Sequence, residues 1–244
     1  MKKIHIYIFT ISCLFVLANN NSYAQEDTKE IDTIIPYKDK FGIRIGADLA
    51  KTAKTFLEND YQAFEIMGDY RIYKNYYLAA EIGNEDYSYT EPFLEATTQG
   101  SYIKIGGNYN FYDNWLDMQN ELYVGFRYGF ATFNHTLEQY QVYTSDSYFE
   151  DDIRVINKEY NGLTKSWIEF QLGIKTEILN NLFLSAHVQL KTSFGDNSLN
   201  GFENLYIPGF HRTYQDTSIG VGFGYGVSYL IPISKKDRVQ KVAN

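Results

Sequence analysis

Eight segments of this sequence alternate apolar and polar residues, and every charged side chain within them falls on the polar parity. The segments are 41–49, 62–72, 76–85, 101–111, 121–133, 166–178, 182–194 and 217–231. In 121–133, Leu122, Val124, Phe126, Tyr128 and Phe130 oppose Glu121, Tyr123, Gly125, Arg127, Gly129 and Ala131. Side chains of a strand point to opposite faces with period two, so each segment has one mostly apolar face free of charge. The opposite faces carry fourteen charges: Arg44, Asp48, Glu65, Asp69, Arg71, Glu81, Glu85, Lys104, Glu121, Arg127, Glu169, Lys175, Glu177 and Lys191. A soluble barrel would turn these charges to water and the apolar faces inward. Here the polar faces mix both signs with Gly, Tyr and Trp, the content of a packed lumen. Lipid explains the charge-free faces, since Arg or Lys there costs about 2–4 kcal/mol at the bilayer midplane.

The connections point the same way. Residues 73–75, 112–120 and 179–181 join strands by the shorter links, while 50–61, 86–100, 134–165 and 195–216 are longer and alternate with them. Long connections therefore gather at one end. The segments reach the roughly 9–11 residues that a tilted membrane strand needs. The pattern predicts an all-β fold, an eight-stranded antiparallel up-and-down transmembrane β-barrel with long extracellular loops and short periplasmic turns.

Residues 1–24 read as an export signal: Lys2 and Lys3, then an apolar run from Ile4 to Leu17, then Ser22-Tyr23-Ala24 as a cleavage site. Cys13, the only cysteine, belongs to that run, so the mature chain has no disulfide and no cysteine-based metal site. The segment 25–40 is a polar periplasmic lead-in, 41–231 the barrel, and 232–244 a periplasmic tail. The expected location is the outer membrane of a Gram-negative cell envelope. A net charge of −8 argues against a nucleic-acid partner. Tyrosine, at 23 residues, suits a membrane-interface belt.

The signal ending SYAQ, the alternating strands and the glycine-laced last strand SIGVGFGYGVSYLIP resemble an uncharacterised bacterial outer-membrane β-barrel family, domain of unknown function 6048. The resemblance covers nearly all of the mature chain and implies a location but no activity. Such barrels often end on an aromatic read by the assembly machinery, whereas here about a dozen residues follow Tyr229 and Ile231.

An eight-stranded barrel is just wide enough for its side chains to fill. The lumen charges are therefore expected to form a structural salt-bridge network rather than an ion path. Tyr77, Tyr102, Tyr123, Trp167 and Phe183 are expected to fill the space beside the inward glycines. Two other readings compete. A lipid-modifying enzyme would draw on His135, His211 and loop serines (Ser145, Ser147, Ser198), although no elbow or oxyanion motif joins them. A soluble periplasmic ligand-binding barrel would need the faces reversed. His187 is expected to be a lumen hydrogen-bonder. The acidic run Glu150-Asp151-Asp152 lacks calcium-loop spacing, so no metal, cofactor or catalytic residue is assigned. Expected partners are outer-membrane lipid, the barrel-assembly machinery during biogenesis, and a surface ligand at loop 134–165.

Overall fold

The computed structural model describes residues 33–114, 118–142, 152–195, 198–199, 202–203, 206–213 and 217–242. Residues 36–239 form one compact unit; of the smaller one, 1–35 with 240–244, only strand ends at 33–35 and 240–242 are described. The export signal and most of the expected lead-in lie outside the described residues.

Eight long strands run as β1 (Thr33–Asp48), β2 (Tyr61–Tyr73), β3 (Tyr76–Glu91), β4 (Leu94–Asn110), β5 (Glu121–Val142), β6 (Asp152–Leu179), β7 (Leu182–Phe194) and, after four two-residue strands, β12 (Ile219–Val242). They close into a barrel in the order β1-β12-β7-β6-β5-β4-β3-β2. The short strands β8 (Ser198–Leu199), β9 (Phe202–Glu203), β10 (Tyr206–Ile207) and β11 (His211–Arg212) pair as two small ribbons in the last outer connection.

The faces are inside-out relative to a soluble barrel. Ile82, Phe126, Ile174 and Val221 stand on the exterior, each more than half exposed or close to it, while Trp167 and Phe183 are fully buried in the lumen. A periplasmic ligand-binding barrel is therefore not what this chain builds. The register sets opposite charges across from one another inside: Arg44 with Asp69, Glu81 with Lys104, Glu121 with Lys175, Arg127 with Glu169. Such directly opposed pairs are where cross-strand attraction acts.

Closure of the first strand on the last needs glycine. A Cβ on Gly42 would run into the Ile231 carbonyl, and one on Gly46 into Val227 and Ser228. Elsewhere inward glycines make room for rings, as expected: Trp167 lies over Gly129, and Tyr102 over Gly83. The turns after β2 and β6 each place one residue, Lys74 and Asn181, at positive φ.

The outer connections are more ordered than the loop reading had them. β1 passes directly into helix α1 (Leu49–Leu57). β3 and β4 extend as one hairpin to the Glu91–Leu94 pair, and β5 and β6 climb together to Val142 opposite Asp152. Residues 153–156 lie within β6, while 143–151 lie outside the described residues. One residue was assigned to the wrong side. Phe41, expected toward lipid, is buried at the periplasmic end, where its ring lies 4.9 Å from the Arg71 guanidinium.

Candidate functional site

The lumen charges sort into two tiers. Near the periplasmic end Arg44 donates to Asp69 at 2.9 Å and also bonds Glu121, while Lys175 bonds Asp69. Below them Arg71 pairs with Asp39 at 3.0 Å, and Lys40 with Glu177 at 2.8 Å. In the upper tier Glu81 joins Lys104 at 2.8 Å and Arg127 at 3.0 Å. Lys104 also lies 3.6 Å from Glu65 and 3.8 Å from Glu169. Gln171 donates to Glu169 at 2.6 Å, and the inward His187 lies 2.7 Å from the Gln189 amide.

Eleven of the fourteen charged residues thus stand within this lumen lattice or at its ends, while Asp48, Glu85 and Lys191 are engaged at the mouth. Asp48 caps α1, accepting from the Lys51 backbone N–H at 2.8 Å. Lys191 also departs from the salt-bridge reading, because it donates to the Gly209 carbonyl at 2.9 Å. Two spaces between the charges measure about 20 Å³ and 10 Å³, close to the volume of one water probe or less.

The mouth is closed by elements that alternation did not reveal. Lys51 of α1 reaches down to Glu65 at 2.8 Å and Glu85 at 2.7 Å, and also bonds the Tyr102 hydroxyl. Burial works against its charge, yet Glu85 and Glu65 outweigh that and raise its pKa above the usual lysine value. The segment Tyr206–Phe210 turns back into the mouth as a plug. Tyr206 donates to Glu85 at 2.8 Å and the Gly209 N–H donates to the same carboxylate at 3.0 Å. Phe210 meets Trp167 edge-on with ring centroids 6.0 Å apart, and Ile207 is fully buried. Gly209 sits at φ +80° against the Tyr102 ring, where a side chain would be both strained and obstructed.

The histidines weighed for acid–base work have separate settings. His135 is buried in the β4–β5 wall with Nδ1 2.6 Å from the Thr98 hydroxyl. His211 stacks on Tyr206 and lies 3.7 Å from Glu85. Burial, then Lys191, lower the His211 pKa to about 4 against the pull of Glu85, so it is neutral at pH 7. Ser145, Ser147, Glu150 and Asp151 lie outside the described residues, as does the side chain of Ser198. Among the described residues no group of three or more His, Cys, Asp or Glu is placed to hold a metal ion.

The family described as Domain of unknown function (DUF6048) matches residues 4–236, nearly the entire sequence. The chain belongs to this family. The DUF6048 barrel is similar in structure to Neisserial surface protein A, with 12% identity over 80% of this chain and 99% of that one and a TM-score of 0.42. It is also similar to the attachment invasion locus protein Ail of Yersinia pestis, with 9% identity over 78% and 97% of the two chains and a TM-score of 0.37. No curated protein matches its sequence.

Proposed function

We propose that this member of DUF6048 is an exported outer-membrane barrel whose filled lumen is structural and whose outer rim is an interaction surface. The observation that carries the reading is the combination of an apolar exterior with a lumen packed by paired charges, two spaces among them measuring about 20 Å³ and 10 Å³. Charges locked by opposite partners and a docked plug favour rigidity over conduction. Recognition then belongs to the connections above the lipid, where a rigid scaffold holds exposed side chains. The tallest is the β5–β6 hairpin, which shows Ile153 and Val155 to solvent. An unidentified surface ligand there, with lipid and the assembly machinery as the remaining partners, completes the reading.

The test begins with membrane fractionation after a carbonate wash and a comparison of boiled and unboiled protein on a detergent gel. Retention in the outer membrane with a heat-dependent mobility shift is expected, as is a mature N-terminus at Gln25. In planar bilayers the protein should give no stable conductance steps. Release as a soluble species without a shift would overturn the membrane reading, and steady conductance would overturn the closed lumen.

A further inference from the structure

The barrel wall is incomplete toward its outer end. β1 becomes helix at Asp48, and Gly46 lies against Val227 and Ser228, so the strand leaves the wall about level with Gly224–Gly226. From Ile219 to Phe223, β12 therefore has β7 on one side and α1, rather than a strand, on the other. The helix is fastened to the far side of this opening. Thr55 Oγ1 accepts from the Ala63 N–H at 2.9 Å and donates to the Ala63 carbonyl at 3.1 Å, tying α1 to the edge of β2. Between α1 and β12 remains a groove of about 710 Å³. It runs from Tyr87 and Tyr206 in the mouth, past Ala53 and Leu57, to Val221 and Phe223 on the exterior.

We propose that this groove holds one acyl chain of an outer-leaflet lipid, its polar head group beside Lys54 and Arg212. The proposal rests on the outer-membrane reading above. Three observations favour that occupant. The groove opens onto Val221 and Phe223, which belong to the same apolar belt that meets lipid around the barrel, so a chain enters it without leaving the membrane. Its volume lies within the roughly 300–1,000 Å³ of sites that bury small ligands, and its walls are mostly apolar. Charge is placed at the upper rim. Lys54 stands 4.0 Å over the Tyr61 ring and 3.4 Å from Glu58, while Arg212 donates to the Tyr89 hydroxyl at 3.0 Å. Lys54 and Arg212 stand there among Glu58, Asp60 and Glu91, a rim of mixed charge suited to a polar head group.

The test is native mass spectrometry of the full mature protein released from detergent, with palmitoyl lysophosphatidylglycerol as probe and palmitoyl lysophosphatidylcholine as comparator. A single saturable adduct with each lipid is expected. Ala53→Trp, which fills the groove, should abolish it, with Ala53→Leu as the milder variant should tryptophan prevent folding. The double change Lys54→Gln with Arg212→Gln should weaken it about tenfold, and Ile105→Trp on a distant lipid-facing strand should leave it unchanged. Unsaturable adducts, or binding indifferent to filling, would overturn the site. Binding unchanged by the double change at Lys54 and Arg212 would overturn the head-group placement. A lipid-free dimer that Ala53→Trp disperses would give the groove to a second copy of the chain instead. Each protein is also run boiled and unboiled: in the unaltered protein a heat shift without lipid binding rejects the groove alone, whereas loss of the shift rejects the barrel.

Discussion

Glu85 shows how much one side chain can organise. It is fully buried, faces Lys51 and His211, and accepts hydrogen bonds from Tyr206 and Gly209. Glu85→Ala would leave Lys51 buried with one carboxylate fewer and the plug without its acceptor. Breaking a buried pair costs on the order of 3–5 kcal/mol, so a large drop in the urea midpoint in detergent micelles is expected. Glu177→Gln, at the wetter periplasmic end with Lys40, should cost about 1 kcal/mol by the same measurement. His211 adds a pH dependence of fixed sign. Its folded pKa of about 4 lies below the usual value near 6.5, so the unfolded chain takes up the proton first as pH falls. The neutral imidazole's contribution is full above pH 6.5 and is lost as the pH drops toward 4. Urea midpoints at pH 7 and pH 5 should therefore differ less in His211→Gln than in the unaltered protein.

At the scale of elements, α1 and the plug are what sequence reading missed. The eight strands were legible because lipid imposes one rule on every exterior position, and Arg44, Glu81 or Lys175 violate it visibly unless they face inward. Above the lipid both faces of a strand meet water or protein, so the extensions of β3 to β6 lose that signature. The helix LAKTAKTFL is short, and its capping residue Asp48 had already been given to the lumen by parity. The plug did leave a trace: Tyr206-Ile207-Pro208-Gly209-Phe210 is an apolar run inside an otherwise polar connection, too broken by Pro and Gly to be a strand. Lys51 and Lys40, the unanticipated bases, lie just beyond the segments in which pairing was sought. Thr55→Val offers a direct check on the helix. Losing both bonds to Ala63 should cost about 1–3 kcal/mol and raise hydrogen exchange at the Ala63 amide.

For the molecule as a whole, the inside-out assignment makes adjacent residues unequal. Phe126 is 53% exposed on the exterior and Tyr123 is 3% exposed in the lumen, only three positions away on the same strand. Phe126→Arg places a charge in lipid at a cost of about 2–4 kcal/mol and should block membrane assembly, read as loss of the heat-shifted band. Tyr123→Arg enters a region already lined by Glu121, Asp69 and Arg127 and should assemble at a measurable level. Equal tolerance of the two would count against the assignment.

The bond from Arg44 to Glu121 has a consequence for how such a wall can be made. Arg44 lies on the first strand, while Glu121 opens the fifth, and the two meet across the bore as well as along the sheet with Asp69. A ribbon of strands that has not yet curled round lacks that crossing partner, so Arg44 keeps only Asp69 beside it and Glu121 only Lys175 until the ends meet. Curling the sheet into a ring is thereby what completes the Arg44 ion pairs, and the closed form is favoured over the open ribbon by that contact.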